Sequence, residues 1–67
     1  MNIYINNQQK EVTNQKMSLK DLAISEKINM QGTAIAINDK LIKQALWETT
    51  MVKENDNITI ISAAFGG

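Results

Sequence analysis

Few side chains in this sequence are suited to catalysis. The chain contains no His and no Cys, so it lacks a general base that titrates near neutral pH and a thiol nucleophile. Seven Lys residues and seven Asp plus Glu residues remain, and they are scattered along the chain. Scattered charges in a small domain are typical of a solvated surface. We therefore predict that the chain is not an enzyme and has no catalytic residues and no metal site of its own.

The most unusual stretch is the C-terminal sequence ISAAFGG. The sequence has only three Gly residues, and two of them are Gly66 and Gly67, its last positions. Gly lacks a Cβ atom, so this end is slim and its backbone is conformationally free. A frayed end or a cloning remnant would give the same composition. We expect a folded domain over residues 1–62 and a flexible tail over residues 63–67 that ends in Gly-Gly.

Composition limits both the size of the core and the classes of partner. A chain of 67 residues forms one domain, and without Cys its core must come from apolar packing alone. The seven positive charges are all Lys and are balanced by seven acids, which argues against binding to nucleic acid or to a membrane surface. The sequence has no apolar run near the roughly 18 residues that a membrane span needs, and we expect neither a leader nor a membrane span. We expect a cytoplasmic protein.

The first dozen residues predict a β-hairpin. In MNIYIN the apolar residues Met1, Ile3 and Ile5 alternate with polar ones, which is the pattern of a half-buried strand. Asn7 and Gln8 offer a polar reversal, and QKEVT reads as a weaker second strand with Val12 as its main apolar residue.

The segment MSLKDLAISEKI predicts a short helix. Ser18 and Asp21 have the spacing of an N-cap residue and an acidic N3 residue, which the helix dipole favours. The helix should end between Ser25 and Lys27, and Gly32 should lie in the loop back to the sheet. The apolar helical face consists of Leu19, Leu22 and Ala23, whereas Ile24 and Ile28 lie away from it.

The second half of the sequence predicts three further extended segments. TAIAIND reads as a strand that could be covered on both faces, followed by a turn at Asn38-Asp39 and the short strand KLI. KQALWETT is too short to predict a helix, although Ala45, Leu46 and Trp47 give it apolar groups to bury. KENDN is a polar turn, and ITIISA is the strongest strand. Its run Ile58 to Ile61 predicts a central position with burial on both sides.

These elements predict an α+β domain of ββαββ plan, with one main helix packed across one face of a mixed sheet of four or five strands. The plan resembles the ubiquitin-like β-grasp fold, and within it the chain is most similar to the thiamine-biosynthesis sulfur carriers of the ThiS family. The resemblance covers nearly the whole chain. It rests on Gly32, Ala36 and Asn38 in INMQGTAIAIND, on Trp47, on the turn at Asn55-Asp56, and on Gly66-Gly67.

Two departures from the family pattern are visible. The family often has Gly-Asp before the last strand, where this chain has Asn55-Asp56; Asn tolerates positive φ, so we expect the same tight turn. The family also often has a Pro soon after the fourth strand begins. Here Lys43 follows Ile42, which leaves that path less constrained.

The resemblance implies a chemistry centred on the α-carboxylate of Gly67. A ThiF-like enzyme of the ubiquitin-activating type would use ATP to convert it to a glycyl-adenylate. A persulfide donor, such as a cysteine desulfurase, would then supply sulfur to give a thiocarboxylate, and a ThiG-like thiazole synthase would receive that sulfur. The chain itself would bind no cofactor.

The resemblance also assigns roles near the tail. Ala64, Phe65 and Gly66 would be presented to partner active sites, with Phe65 either anchoring in a partner pocket or packing back on the domain. The outer face of the sheet is a possible docking surface, and alternation places Tyr4, Thr59 and Ile61 on it. For Trp47 a place in the core is favoured over a binding role. For Asn38 a structural role is favoured, with its side chain closing a turn.

Three other functions fit the same sequence features. One is the small subunit of molybdopterin synthase, a related sulfur carrier whose chains tend to have an additional helical segment before the last strand. Another is a ubiquitin-like modifier joined through Gly67 to lysines. The third is a non-covalent interaction domain whose C-terminus has no chemical role.

Overall fold

A computed structural model describes residues 1–29 and 31–62 of the chain. In these residues five strands form one mixed sheet, in the order β2-β1-β5-β3-β4, with one α-helix packed on it. This arrangement confirms the predicted α+β fold of the ubiquitin-like β-grasp type and the central place of the last strand. The elements are β1 (Asn2–Ile5), β2 (Gln8–Glu11), α1 (Leu19–Ser25), β3 (Thr33–Ile37), β4 (Lys40–Ile42), a 3₁₀ turn (Gln44–Leu46) and β5 (Asn57–Ser62).

The N-terminal hairpin is confirmed, but its turn lies one residue earlier than predicted. Asn6 and Asn7 form the two-residue turn, with φ of 51° and 68°, and Gln8 pairs with Ile5. Two consecutive positive φ angles match the twist of the flanking strands, and Asn adopts them more readily than Gln. Strand β2 consequently ends at Glu11, so Val12 is buried after the strand and not within it.

Helix α1 begins where the sequence predicts. The Asp21 N–H donates to Ser18 Oγ at 3.0 Å, and the Ser18 N–H donates to Asp21 Oδ2 at 3.2 Å, which completes a capping box. Its apolar face is buried, as expected. Ile24 is exposed, but Ile28 packs against the core, because the helix has ended and the chain folds back to let the Ile28 N–H donate to the Ala23 C=O.

The core lies between α1 and one face of the sheet. The sheet contributes Ile3, Ile35 and Ile58, all fully buried, and the segment between β4 and β5 adds Trp47 and Val52. These residues pack against the helix residues Leu19, Leu22 and Ala23. Because the described part of the chain has one helix, only this face of the sheet is covered.

The prediction that β3 and β5 are covered on both faces is therefore wrong. Ile58 is fully buried, whereas Ile61 is 51% exposed on the opposite face of the same strand. The four-residue apolar run indicated a central strand, which is correct, but a central strand in a two-layer fold has one open face. The expectation for KQALWETT is also corrected: Trp47 is buried, but Ala45 and Leu46 are exposed.

Among the described residues, no helix is long and apolar enough to cross a membrane.

Candidate functional site

Strand β5 brings the chain to the predicted tail from the middle of the sheet. On one side it pairs antiparallel with β3 from Ile37–Ile58 to Thr33–Ser62. On the other side it runs parallel to β1, and the Tyr4 N–H donates to the Asp56 C=O at 2.9 Å. The tail thus follows a strand that is held from both sides. The predicted site residues Ala64, Phe65, Gly66 and Gly67 lie outside the described residues, and their roles stay predictions.

A nearly buried carboxylate ties together the turns at the start of β5. Asp56 Oδ2 accepts a hydrogen bond from the Lys53 N–H at 2.7 Å, and its Oδ1 accepts one from Asn38 Nδ2 at 3.2 Å. Asn38 Oδ1 in turn accepts from the Asn57 N–H at 3.0 Å. The structural role predicted for Asn38 is confirmed, but its side chain bonds the turn before β5 and does not close its own turn. The pair therefore fixes β5 against the β3–β4 hairpin.

The turn before β5 keeps the tight geometry expected without Gly. Asn55 has a φ of 67°, in the left-handed region that Asn tolerates better than most residues. Its N–H donates to the Asn2 C=O at 2.7 Å, which joins the turn to the start of β1. The replacement of Gly-Asp by Asn55-Asp56 therefore leaves this turn intact.

The three predicted docking residues share the open face of the sheet. Ile3 and Ile5 point to the helix side, so Tyr4 points away from it and is 38% exposed. On β5, Ile58 points inward, so Thr59 and Ile61 point to the outer face, where Thr59 is half-buried and Ile61 is 51% exposed. The faces assigned from alternation are correct. We call the outward residues of the sheet the open face.

Register adds three apolar residues to the open face that sequence reasoning missed. Ala34 pairs with Ile61, and Ala36 pairs with both Thr59 and Leu41, so all of them share one side. Leu41 is 63% exposed. The signal was present in the alternation of TAIAI and KLI, but the expectation that β3 is covered on both faces concealed it.

The open face carries little charge. Among the strand residues that point outward, Glu11 is the one carboxylate, because it pairs with Asn2 on the same side as Tyr4, and none is a Lys. On this face the small Ala side chains of β3 lie between Leu41 on β4 and Ile61 on β5. The outward strand residues therefore offer apolar contact and few groups for ion pairs.

Trp47 belongs to the core, as predicted. It is 1% exposed, and its indole Nε1–H donates to the Ile42 C=O at 2.9 Å. This bond occupies a backbone carbonyl at the end of the edge strand β4, so the side chain both fills the core and links the 44–47 segment to the sheet. A buried, hydrogen-bonded indole has no surface left for a ligand.

Residues 1–29 and 31–62 contain no group of three or more Asp and Glu side chains placed to hold a metal ion. Four of the described acids make local structural contacts: Asp21 in the helix cap, Asp56 between two turns, Glu26 in an ion pair with Lys10, and Glu54 as the acceptor for the Asn2 N–H.

Comparisons with known proteins agree with this geometry. The model of the ThiS family matches residues 3–67. The crystal structure of the thiamine biosynthesis protein ThiS from Geobacter metallireducens has a TM-score of 0.86 and 19% identity, with all of both chains covered. A solution structure of a thiamine biosynthesis protein from the same organism has a TM-score of 0.83 and 19% identity, with 100% of this chain and 88% of that chain covered. No match to a curated protein was found.

At 19% identity the two structures establish the fold alone. The family match is a separate observation, and it spans the sheet, the helix and the terminal Gly pair. Since it includes almost every residue, the chain belongs to the ThiS family.

Proposed function

We propose that this chain is a sulfur carrier of thiamine biosynthesis and that the sulfur is carried on the C-terminal carboxyl group of Gly67. Membership in the ThiS family supports the carrier role. The observation that carries the proposal is the extent of the family match, which continues through residue 67. The two terminal Gly residues are therefore aligned with the family and are not an unrelated extension.

The chemistry begins at the α-carboxylate of Gly67. One carboxylate oxygen attacks the α-phosphorus of ATP in the active site of a ThiF-like enzyme, and pyrophosphate leaves. The terminal sulfur of a persulfide then attacks the acyl carbon and displaces AMP. A thiol reduces the resulting acyl disulfide, which leaves a thiocarboxylate. A ThiG-like thiazole synthase is the acceptor of that sulfur.

The carrier's contribution is presentation of this group, and the activating and accepting sites belong to its partners. A carboxylate is a poor electrophile at neutral pH, so activation needs ATP and a positioned active site. In this proposal the chain is a co-substrate of other enzymes, a role that its membership in the ThiS family supports. The open face provides an apolar surface on which a partner would dock close to the end of β5.

Intact mass of the protein made together with its cellular partners tests the proposal. We expect a species in which one oxygen is replaced by sulfur, and fragmentation should place the change at Gly67. A chain that lacks Gly66 and Gly67 is the control and should show no such species. Absence of the sulfur species with all partners present would contradict the proposal, and an isopeptide bond to lysines of other proteins would indicate a modifier instead.

Substitution at the terminus tests presentation of the carboxylate. Gly67→Ala adds a methyl group beside the reacting carbon, and a displacement of about 1 Å costs on the order of a hundredfold in rate. We expect a loss of that size in adenylate formation, measured as pyrophosphate released by the partner enzyme, with thermal unfolding unchanged. Equal rates for Gly67→Ala and the native chain would argue against a narrow channel around Gly67.

A further inference from the structure

Strand β1 ends before its parallel pairing with β5 is complete. Ile5 is the last residue of β1 and lies opposite Ile58. The Asn6 N–H still donates to the Ile58 C=O at 2.9 Å, but Asn6 has a φ of 51° and turns the chain away toward β2. The backbone C=O of Asn6 therefore turns away from β5 and does not continue the hydrogen bonding between the two strands.

The side chain of Asn6 makes the bond that its backbone carbonyl would have made. In a parallel ladder, a residue that donates to one residue of the neighbouring strand accepts from the residue two positions later. Two positions after Ile58 is Ile60, and the Ile60 N–H donates to Asn6 Oδ1 at 2.8 Å. Among the described residues this is the last hydrogen bond on the β1 side of β5.

Position 6 thus has two requirements that few residues meet together. The turn needs a positive φ, which Gly, Asn and Asp accept. The Ile60 N–H needs an acceptor one carbon beyond Cβ, which Asn and Asp provide and Gly does not. The neighbouring Asn7 has a φ of 68° and meets the first requirement, whereas no side-chain hydrogen bond is found for it in the described residues.

We propose that Asn6 is a positioning residue for the C-terminal tail, an inference that rests on the proposed function of Gly67. By holding Ile60, the Asn6 side chain sets the last point at which β5 is fixed from the β1 side. From there, residues 61–67 lead to the carboxylate. Without this bond the end of β5 is held only by β3, so the position from which the tail starts varies. A smaller fraction of the complexes with the partner enzyme then holds the carboxylate in place for attack.

The loss of this bond is a local event and not a folding defect. Asn6 is exposed and borders a cleft of about 400 Å³ that Ile5, Gln8, Ile28 and Ile60 also line. Water in this cleft can reach the Ile60 N–H when the Asn6 side chain is removed, so no buried donor is left unsatisfied. A variant at position 6 should therefore stay folded.

The test compares Asn6→Gly with Asn7→Gly. Both substitutions keep a residue that accepts positive φ in the same turn, but only the first removes the acceptor for Ile60. We expect amide exchange at Ile60 to be about tenfold faster in Asn6→Gly and unchanged in Asn7→Gly, with the Thr59 amide as an internal reference. With the adenylating partner and ATP, kcat should fall about tenfold for Asn6→Gly while KM changes less than about twofold, because the open face is intact.

Asn6→Asp keeps an oxygen at the same reach and should restore both the exchange rate and kcat. Faster Ile60 exchange with native kcat in Asn6→Gly would overturn the positioning role, and so would a loss of kcat shared equally by Asn7→Gly or not rescued by Asn6→Asp. Failure of the native chain itself to be adenylated would refute the proposed function instead, and the inference with it. Exchange at Ile60 would then still show whether Asn6 holds β5.

Discussion

At the scale of single residues, this chain makes its turns with Asn and Asp where Gly is the usual choice. Among residues 1–29 and 31–62, six residues other than Gly have positive φ, namely Asn6, Asn7, Lys27, Asn38, Asp39 and Asn55. Five of them are Asn or Asp, whose short polar side chains tolerate this region. Gly can supply only backbone freedom at a turn. Asn6 and Asn38 also use their side chains to bond β5, so they contribute to its position.

Lys43 provides a prediction about the missing Pro of the family pattern. Its φ of −62° and ψ of 142° are the values that Pro prefers, and its N–H donates no hydrogen bond within the described part of the chain. Lys43→Pro should therefore raise the free energy of unfolding by about 0.5 kcal/mol, because it restricts the unfolded chain. Denaturant unfolding followed by Trp47 fluorescence measures the change.

Lys53→Pro is the matched control, with the same change in charge. The Lys53 N–H donates to Asp56 Oδ2 at 2.7 Å, so Pro removes a bonded donor there and should destabilise the fold. If both variants lowered the free energy of unfolding equally, the backbone conformation at Lys43 would be incompatible with Pro.

At the scale of elements, short segments hold their places through specific polar contacts. Helix α1 has seven residues, which is too few for a helix to be stable alone in water. It forms because the Ser18–Asp21 capping box satisfies its first turn and because its apolar face is buried. The start of β5 is held in a comparable way by Asp56 and Asn38. Sequence reasoning identified the helix cap, whose partners are three residues apart, but missed the Asn38–Asp56 contact, whose partners are 18 residues apart.

The Asn38–Asp56 contact predicts a measurable loss of stability. Asp56→Ala removes the acceptor of the Lys53 N–H and of Asn38 Nδ2, so the free energy of unfolding should fall by about 1–3 kcal/mol. Glu48→Ala is the control, since Glu48 is exposed and its ion pair with Lys20 Nζ, at 4.0 Å, is long and solvated. Its effect on the free energy of unfolding should stay below about 0.5 kcal/mol.

A double mutant separates this contact from other effects of the substitution. Asn38→Gly keeps positive φ while removing the amide. If the two side chains act together, combining Asn38→Gly with Asp56→Ala should cost less than the sum of the two single changes. Additive effects would show that Asp56 stabilises the turn at Lys53 alone.

At the scale of the whole molecule, the two faces of the sheet differ in burial. The inner face, with Ile3, Ile35 and Ile58, forms the core with α1. The open face keeps Leu41 and Ile61 more than half exposed. Because β5 contributes to both faces, the strand that leads to the tail is anchored in the core by Ile58 and exposes Ile61 on the open face.

This division predicts which apolar residues matter for a partner. Ile61→Lys places a charge on the open face next to the end of β5, and we expect KM for adenylation to rise at least about tenfold because a charge would be desolvated on docking. Ile24→Lys is the control, since Ile24 is 59% exposed but lies on the helix, in the other layer. Its KM should stay within about twofold of the native value. Equal effects of the two substitutions would rule out the open face as the docking surface.

By itself, the sequence determined the order of the elements, the capped helix, the polar turns and the resemblance to the ThiS family. Each of these depends on neighbouring residues, because alternation, cap spacing and turn preference act within a few positions of the chain. Tertiary structure decided which sides of β3 and β5 are covered, that Leu46 remains exposed while Trp47 is buried, and that Asn6 and Asn38 bond β5. These features depend on pairing between distant segments and on a single α-helix that covers one face of the sheet. The run Ile58 to Ile61 has the local pattern of burial on both sides, so the open side of β5 was decided by the number of layers and not by the strand's own sequence.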